Sequence, residues 1–521
     1  MNGIEIQNGA SNLIGGTICC SGNVISANQG NGILITAAAA IRNQVLGNYI
    51  GTDATGLAGL GNHQDGVKTA AAANKNTIGG TSLLARNLIS GNLGDGIELG
   101  TTANFVQENW IGVDATGNAA LPNLLDGVRV LVSRNTLTHN VISKNGANGV
   151  ELLTGVQTTK IKGNMIGVNV QGNQPLGNTL DGIHLLTASA NIIGGAGFGA
   201  GNVISGNTNG ITLVGASVSN IIQGNFVGTD LTGTQKIMNT ADGIDVNSLA
   251  NNNSIGGSTL GTGNVISGNG DLGVLVDSDN NKIQGNRIGT DVTGTQALGN
   301  AFDGVYVEEG IRNVVGGSAT GTNWGGPRNI IAANGRNGVV IRAKASLTMV
   351  QGNYIGVGLN GEHLGNADSG VFLPAGSTGS GNIIGVPYPG LSPTPAYEPR
   401  ANVIGYNNQY GVDVSGGTQT YVGENDYLAN VAGPTNSFAS PLTGVPITVP
   451  ATSLITVHYP TGTTGWIEFY QICNNNYYFV TRVKVNANGG TYSFDATTYG
   501  LATGDTVTAT FTTTPLGTSK F

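Results

Sequence analysis

At 521 residues, with 10% charged residues, 39% hydrophobic residues and 87 glycines, the chain is too apolar for disorder and too glycine-rich for long helices. Its formal net charge of −8 excludes a basic face able to neutralise phosphates, and with it nucleic acid and anionic membranes as partners. No run is long enough to span a bilayer, none reads as a signal peptide, and Cys19, Cys20 and Cys473 make neither a disulfide framework nor a zinc site.

The first element is already in mid-pattern. Asn2-Gly3-Ile4-Glu5-Ile6 is the strand that returns as Asp95-Gly96-Ile97-Glu98-Leu99, so Met1 reads as the start of a fragment or mature segment. From Asn48 a larger period emerges: NYIGTDATG recurs as NWIGVDATG from Asn109, NMIGVNVQG from Asn164, NFVGTDLTG from Asn225, NRIGTDVTG from Asn286 and NYIGVGLNG from Asn353. Each block of about sixty residues holds the Gly-aliphatic-x-aliphatic unit twice, as at Gly66, Gly96, Gly127, Gly149, Gly182 and Gly210. Between successive units lie two short Asn-x-aliphatic segments, such as Asn76-Thr77-Ile78 and Asn87-Leu88-Ile89. Three short strands per turn is the period of a parallel β-helix, here of about fourteen coils and on the order of 65 Å long.

One asparagine column recurs once per coil, through Asn23, Asn48, Asn87, Asn109, Asn140, Asn164, Asn202, Asn225, Asn264, Asn286, Asn329, Asn353 and Asn402. An amide both donates and accepts, so stacked asparagines can bond along the axis and satisfy the turn backbone. Ile50, Ile111, Ile166, Val227, Ile288 and Ile355 form the matching inward ladder. After Ala432 the pattern stops. Residues 433–450, with Pro441, Pro446 and Pro450, read as a linker, and 451–521 alternates as the strands of a small β-sandwich that would cap the last coil.

The alternation of NxIGTDxxG with IGG and NVISGN resembles the right-handed parallel β-helix repeats of the pectin-lyase-like superfamily, in the form found in secreted bacterial proteins. The resemblance covers residues 1 to about 430 and implies an all-β fold. It leaves function open, because that superfamily holds lyases, glycoside hydrolases, epimerases and non-catalytic surface proteins. It also implies that a site acting on polysaccharide would lie on the first strand of each coil.

If the residue after each Gly points inward, the next points outward, giving the line Glu5, Leu34, Lys68, Glu98, Arg129, Glu151, His184, Thr212, Asp245, Leu275, Tyr306, Val340, Phe372 and Asp413. Beside it runs the residue before each Gly: Asp65, Asp95, Asp126, Asn148, Asp181, Asn209, Asp242 and Asp303. The catalytic candidates are Arg129, Glu151, His184 and Asp245; the substrate-binding candidates are Lys68, Glu98, Asp181, Asp242, Tyr306 and Phe372. Glu98 and Glu151 stand about 10 Å apart, near the wide end of the inverting-glycosidase range, whereas a lyase would use His184 beside Arg129. Alternating charge along Lys68, Glu98, Arg129 and Glu151 is equally the pattern of a simple charge ladder. The Asp-Asp pair with Gly-His-Gly and Arg-Ile-Lys of polygalacturonases is missing, as is the Asp-Pro-His-Asp of mannuronan epimerases.

Asp53, Asp114, Asp230 and Asp291 read as turn caps, with Ca2+ the alternative; no cofactor and no metal site is called for. Aromatics gather toward the end of the repeat: Tyr306, Trp324, Tyr354, Phe372, Tyr388, Tyr397, Tyr406 and Tyr410. The even repeat without an inserted catalytic signature favours an extracellular or cell-surface bacterial module, adhesin-like and non-catalytic, whose partner is a polysaccharide or matrix glycan. The alternatives are a polysaccharide lyase or glycoside hydrolase on the first-strand face, and a fibre subunit that self-associates end to end.

Overall fold

The computed structural model describes residues 1–18, 21–317, 326–342, 344–385, 401–414, 420–422, 425–436, 447–448, 454–459, 465–473, 476–485, 490–499, 501–503 and 505–513. Two compact units result, Met1–Ser278 and Asp279–Phe521. Both are built from the coils expected of an all-β, parallel β-helix. Cys19, Cys20, Trp324, Tyr388 and Tyr397 lie outside the described residues.

In the first unit every coil contributes one strand to each of three parallel sheets. The first sheet runs from Ile4–Gln7 to Val274–Asp277, the second from Leu13–Gly15 to Ser254–Gly256, and the third from Val24–Ile25 to Val265–Ile266. Strands are short because each coil must turn three corners. At one corner Gly79 adopts φ 81°, and a Cβ there would lie 2.0 Å from the carbonyl oxygen of Gln107 one coil on. Registers do not slip: Val67, Ile97, Val128, Val150 and Ile183 stack in line and are fully buried. The alternate residues of the same strands therefore all point out, as the Gly-aliphatic-x-aliphatic pattern requires.

Four polar ladders, rather than the single asparagine column read from the sequence, hold the corners. In the ladder before the third sheet, Asn87 donates from both its backbone N (3.3 Å) and Nδ2 (2.9 Å) to Oδ1 of Asn109, while Nδ2 also reaches the Val45 carbonyl at 2.7 Å. The same connection recurs from Asn23 to Asn225. A second ladder follows the third sheet (Asn62, Asn92, Asn123, Asn145, Asn178, Asn207) and a third precedes the second sheet (Asn43, Asn76, Asn104, Asn135). That last ladder is interrupted by Thr159, whose buried hydroxyl has no partner. The fourth ladder, before the first sheet, contains aspartates and is described below.

The second unit repeats the three-sheet coil, with first-sheet strands from Val305–Glu309 to Gly433–Asn436. The parallel pattern thus extends to Asn436, inside the segment read from sequence as linker, because Gly433–Asn436 pairs with Tyr410–Asp413. Beyond it the chain turns antiparallel. Gly465–Cys473 lies between Asn476–Val485 and Thr506–Thr513, and Leu454–Tyr459 pairs with Gly490–Asp495. Phe469 of the first group meets Phe494 of the second, ring centroids 4.9 Å apart and both rings buried. The strand Asn476–Val485 also pairs antiparallel with the last third-sheet strand, Asn425–Leu428, at Tyr427 and Tyr477. That contact occupies part of the open edge of the Asn425–Leu428 strand.

Candidate functional site

The outward line exists in the expected order. Across the first unit, Glu5, Leu34, Lys68, Glu98, Arg129, Glu151, His184, Thr212, Asp245 and Leu275 are successive register partners. In the second unit Tyr306, Val340, Phe372 and Asp413 form the corresponding run. The middle stretch, Lys68 to Asp245, is not free in water: its side chains are half-buried or, for Thr212, buried.

The second column explains this crowding. Asp65, Asp95, Asp126, Asn148, Asp181, Asn209 and Asp242 form a ladder of opposite polarity to the other three, in which Oδ1 of each rung accepts the backbone N–H of the next. The distances are 2.9 Å for Asp65 to Asp95, 2.9 Å for Asp95 to Asp126 and 2.8 Å for Asp126 to Asn148. The ladder continues through Asp181, Asn209 and Asp242 to the N–H of Leu272. An acceptor alone suffices here, so carboxylates substitute for amides without breaking the rung. At Asp65 and Asp181 the second oxygen reaches the line residue three positions on. Asp65 Oδ2 lies 3.4 Å from Lys68 Nζ, and Asp181 Oδ2 lies 2.9 Å from His184 Nδ1.

Ion pairs bind the line together at its start. Lys68 Nζ is 2.8 Å from Glu98, and Arg129 Nε is 3.2 Å from Glu151, though not aligned for a hydrogen bond. Asp65, Asp95 and Glu98 form the one group among the described residues whose oxygens approach closely enough, within 4.8 Å of one another, to hold a metal ion. The Lys68 ammonium already lies against two of the three.

Burial pushes the Asp95 carboxyl up to about 7, helped by Asp126 and Asp65 on either side. Asp126 is likewise raised by burial and by the neighbouring Glu151 carboxyl. Burial raises Asp242 to about 7 and Asp245 to about 6, while the Asp181 hydrogen bond raises His184. Thr212 Oγ1 and Asp245 Oδ1 are buried without a hydrogen-bond partner. Neither Asp126 nor Thr212 is a sequence candidate, although both stand in the two columns. Their burial and partnering depend on the neighbouring coils and carry no sequence signal.

Of the remaining candidates, Tyr306 lies on the first sheet and is held by Arg342, which donates to its hydroxyl, and Phe372 lies two coils on from it. Tyr410 is on the next first-sheet strand, Tyr410–Asp413, whereas Tyr354 and Tyr406 lie elsewhere. Tyr354 is on the third sheet under Arg328, and Tyr406 stacks on His363 at 3.7 Å. The aspartates of the IGTD segments cap their own turns as expected, Asp53 accepting from the Thr55 hydroxyl and from the amides of Leu57 and Ala58. Asp114, Asp230 and Asp291 do the same. These loops touch across the intervening coil, Ala115 N–H bonding to the Gly56 carbonyl at 2.9 Å.

No family model matches the chain, and no curated protein matches it. Among solved structures it is similar to a double mutant of the periplasmic alginate epimerase AlgG, at 13% identity over 78% of this chain and 77% of that one, TM-score 0.36. It is also similar to the A-module of Azotobacter vinelandii mannuronan C-5 epimerase AlgE4, at 13% identity over 78% and 89%, TM-score 0.33. A third is a mutant tailspike protein of E. coli bacteriophage HK620 in complex with a hexasaccharide, at 12% identity over 98% and 86%, TM-score 0.25. No described helix is long and apolar enough to cross a membrane.

Proposed function

We propose that this chain is a glycan-interacting β-helix, extracellular and non-catalytic, whose first sheet is the binding face. The observation that carries the reading is the unbroken run from Lys68 to Asp245, seven polar positions one coil apart, backed by a ladder of acceptors. Such a run extends about 29 Å in a straight line, the form of an extended polysaccharide rather than of a compact metabolite. Its rigid, preorganised acceptors match sugar hydroxyls and lose little entropy on binding.

The non-catalytic form is favoured because Glu98 and Glu151, the two carboxylates a glycosidase would use, each face a cation of the chain itself. One feature supports the enzyme as a second reading. Asp181 orients His184, and the Glu151 carboxyl raises its neighbour Asp126, which together resemble an acid–base set. Retention of the full chain on immobilised neutral, acetylated, aminated and uronate polysaccharides tests both. Retention without new reducing ends or unsaturated product supports the first, and turnover abolished by Glu151→Gln would replace it with the second.

A further inference from the structure

The ladder residue and the line residue three positions on meet side by side throughout this face, and most such pairs are neutralised. Asp65 faces Lys68 and Asp181 faces His184. Asp95 and Glu98 are both acids, but Lys68 from the preceding coil reaches Glu98 at 2.8 Å. Asp242 and Asp245 break the pattern. They are again both acids, and the line residues on the coils to either side are Thr212 and Leu275, neither of which carries charge. Asp271 and Asp277 add further negative potential at the two carboxyls, and among the described residues the opposing charge felt by Asp245 is His184, two coils away and engaged by Asp181.

A second, independent observation marks the same spot. Thr212 is only 5% exposed, sits on the line between His184 and Asp245, and its Oγ1 has no hydrogen-bond partner. Asp245 Oδ1 is also buried and unpartnered, although Asn247 hydrogen-bonds the carboxylate. Buried polar atoms are nearly always satisfied, so two orphaned acceptors at adjacent rungs call for a ligand that donates. The chain also shows what kind. Lys68 is an ammonium resting between a ladder carboxylate and a line carboxylate, at 3.4 and 2.8 Å.

We propose that Asp242, Asp245 and Thr212 form a subsite for a primary ammonium, the amino group of an aminated sugar within the bound glycan. The proposal rests on the reading of the first sheet as the glycan face and names its ligand class. Three donors on one charged nitrogen match two carboxylates and a hydroxyl, whereas a neutral sugar hydroxyl would leave the paired acids uncompensated. A uronate would add a like charge and is excluded from this position. Burial raises Asp242 to about 7 and Asp245 to about 6, so below about pH 7 an arriving ammonium displaces protons from the pair.

The test is calorimetric titration of the full chain with a β-1,4-linked glucosamine tetramer, its N-acetylated counterpart and tetralysine. The glucosamine tetramer should bind most tightly, and at pH 6.5 the heat should depend on buffer ionisation as protons leave. Asp245→Asn, which keeps the shape but removes the charge, should weaken it about tenfold or more, the weight of a charge-assisted hydrogen bond. Thr212→Val should weaken it less. Equal affinity for the acetylated tetramer, equal affinity for tetralysine, or an unaltered Asp245→Asn variant would overturn the subsite. Binding of neutral glycans that Asp245→Asn leaves unchanged would do so while sparing the glycan face; no binding of any glycan would overturn the face as well.

Discussion

The asparagine ladder at Asn225 and the aspartate ladder at Asp95 sit at two corners of the same coils and use the same rung-to-rung spacing, yet they do different work. At Asn225 the amide donates to Asn264 Oδ1, Ile193 O and Gln223 O and accepts from Asn202, so every polar atom is spent inside the fold. At Asp95 the side chain supplies one acceptor to Asp126, and its other oxygen has no donor among the rungs on either side. An amide rung is self-complementary and closes the structure. A carboxylate rung carries charge and a spare acceptor onto the face, where a proton, a lysine or a ligand must answer it.

The sharpest way to break this contrast is Asn225→Ala. Removing a fully buried side chain with hydrogen bonds to four residues should cost about 3 kcal/mol or more in chemical denaturation, and an unchanged midpoint would mean the ladder contributes nothing net. The aspartate ladder predicts the opposite sensitivity, to pH. Because folding raises Asp95 from its ordinary value to about 7, the folded chain binds more protons than the unfolded one between roughly pH 4 and 7. Stability should therefore fall as pH rises through that window. Asp95→Asn should remove part of the slope and stabilise the chain at pH 8, on the order of 1–2 kcal/mol. A flat profile for the parent protein would show the carboxylates to be solvated.

Two smaller changes sharpen the comparison. Thr159→Asn would restore the missing rung between Asn135 and Asn191 and should stabilise by about 1 kcal/mol, read as a shift in denaturation midpoint. Glu98→Gln, on the face, should alter stability by less than about 1 kcal/mol, since the half-buried Lys68 keeps Asp65 as partner.

Much of this was legible in the residues alone. The glycine before each inward aliphatic sets the register, so the whole run from Glu5 to Leu275 follows from the sequence. The Asn48 column was visible because it abuts the NxIG marker. The ladder through Asn43 was visible in part, because Asn76 opens an Asn-x-aliphatic segment; the ladder through Asn62 was not, because its asparagines sit in the loops between the third and first sheets and open no strand. Nor could the sequence distinguish an aspartate that accepts one backbone N–H from one that simply faces water. The raised carboxyls at Asp95 and Asp242 arise from burial and from like-charged neighbours on the same and adjacent coils.

The central claim is that the first sheet, and not another face of the same coils, meets the glycan. It is tested most directly by measuring polysaccharide binding of the parent chain, of a His184→Ala/Asp245→Asn variant, and of a Lys160→Ala variant whose exposed side chain lies on the second sheet. The account predicts that the first-sheet variant loses binding at least tenfold while the second-sheet variant binds as the parent does. Equal binding by all three, or loss confined to the Lys160 variant, would contradict it.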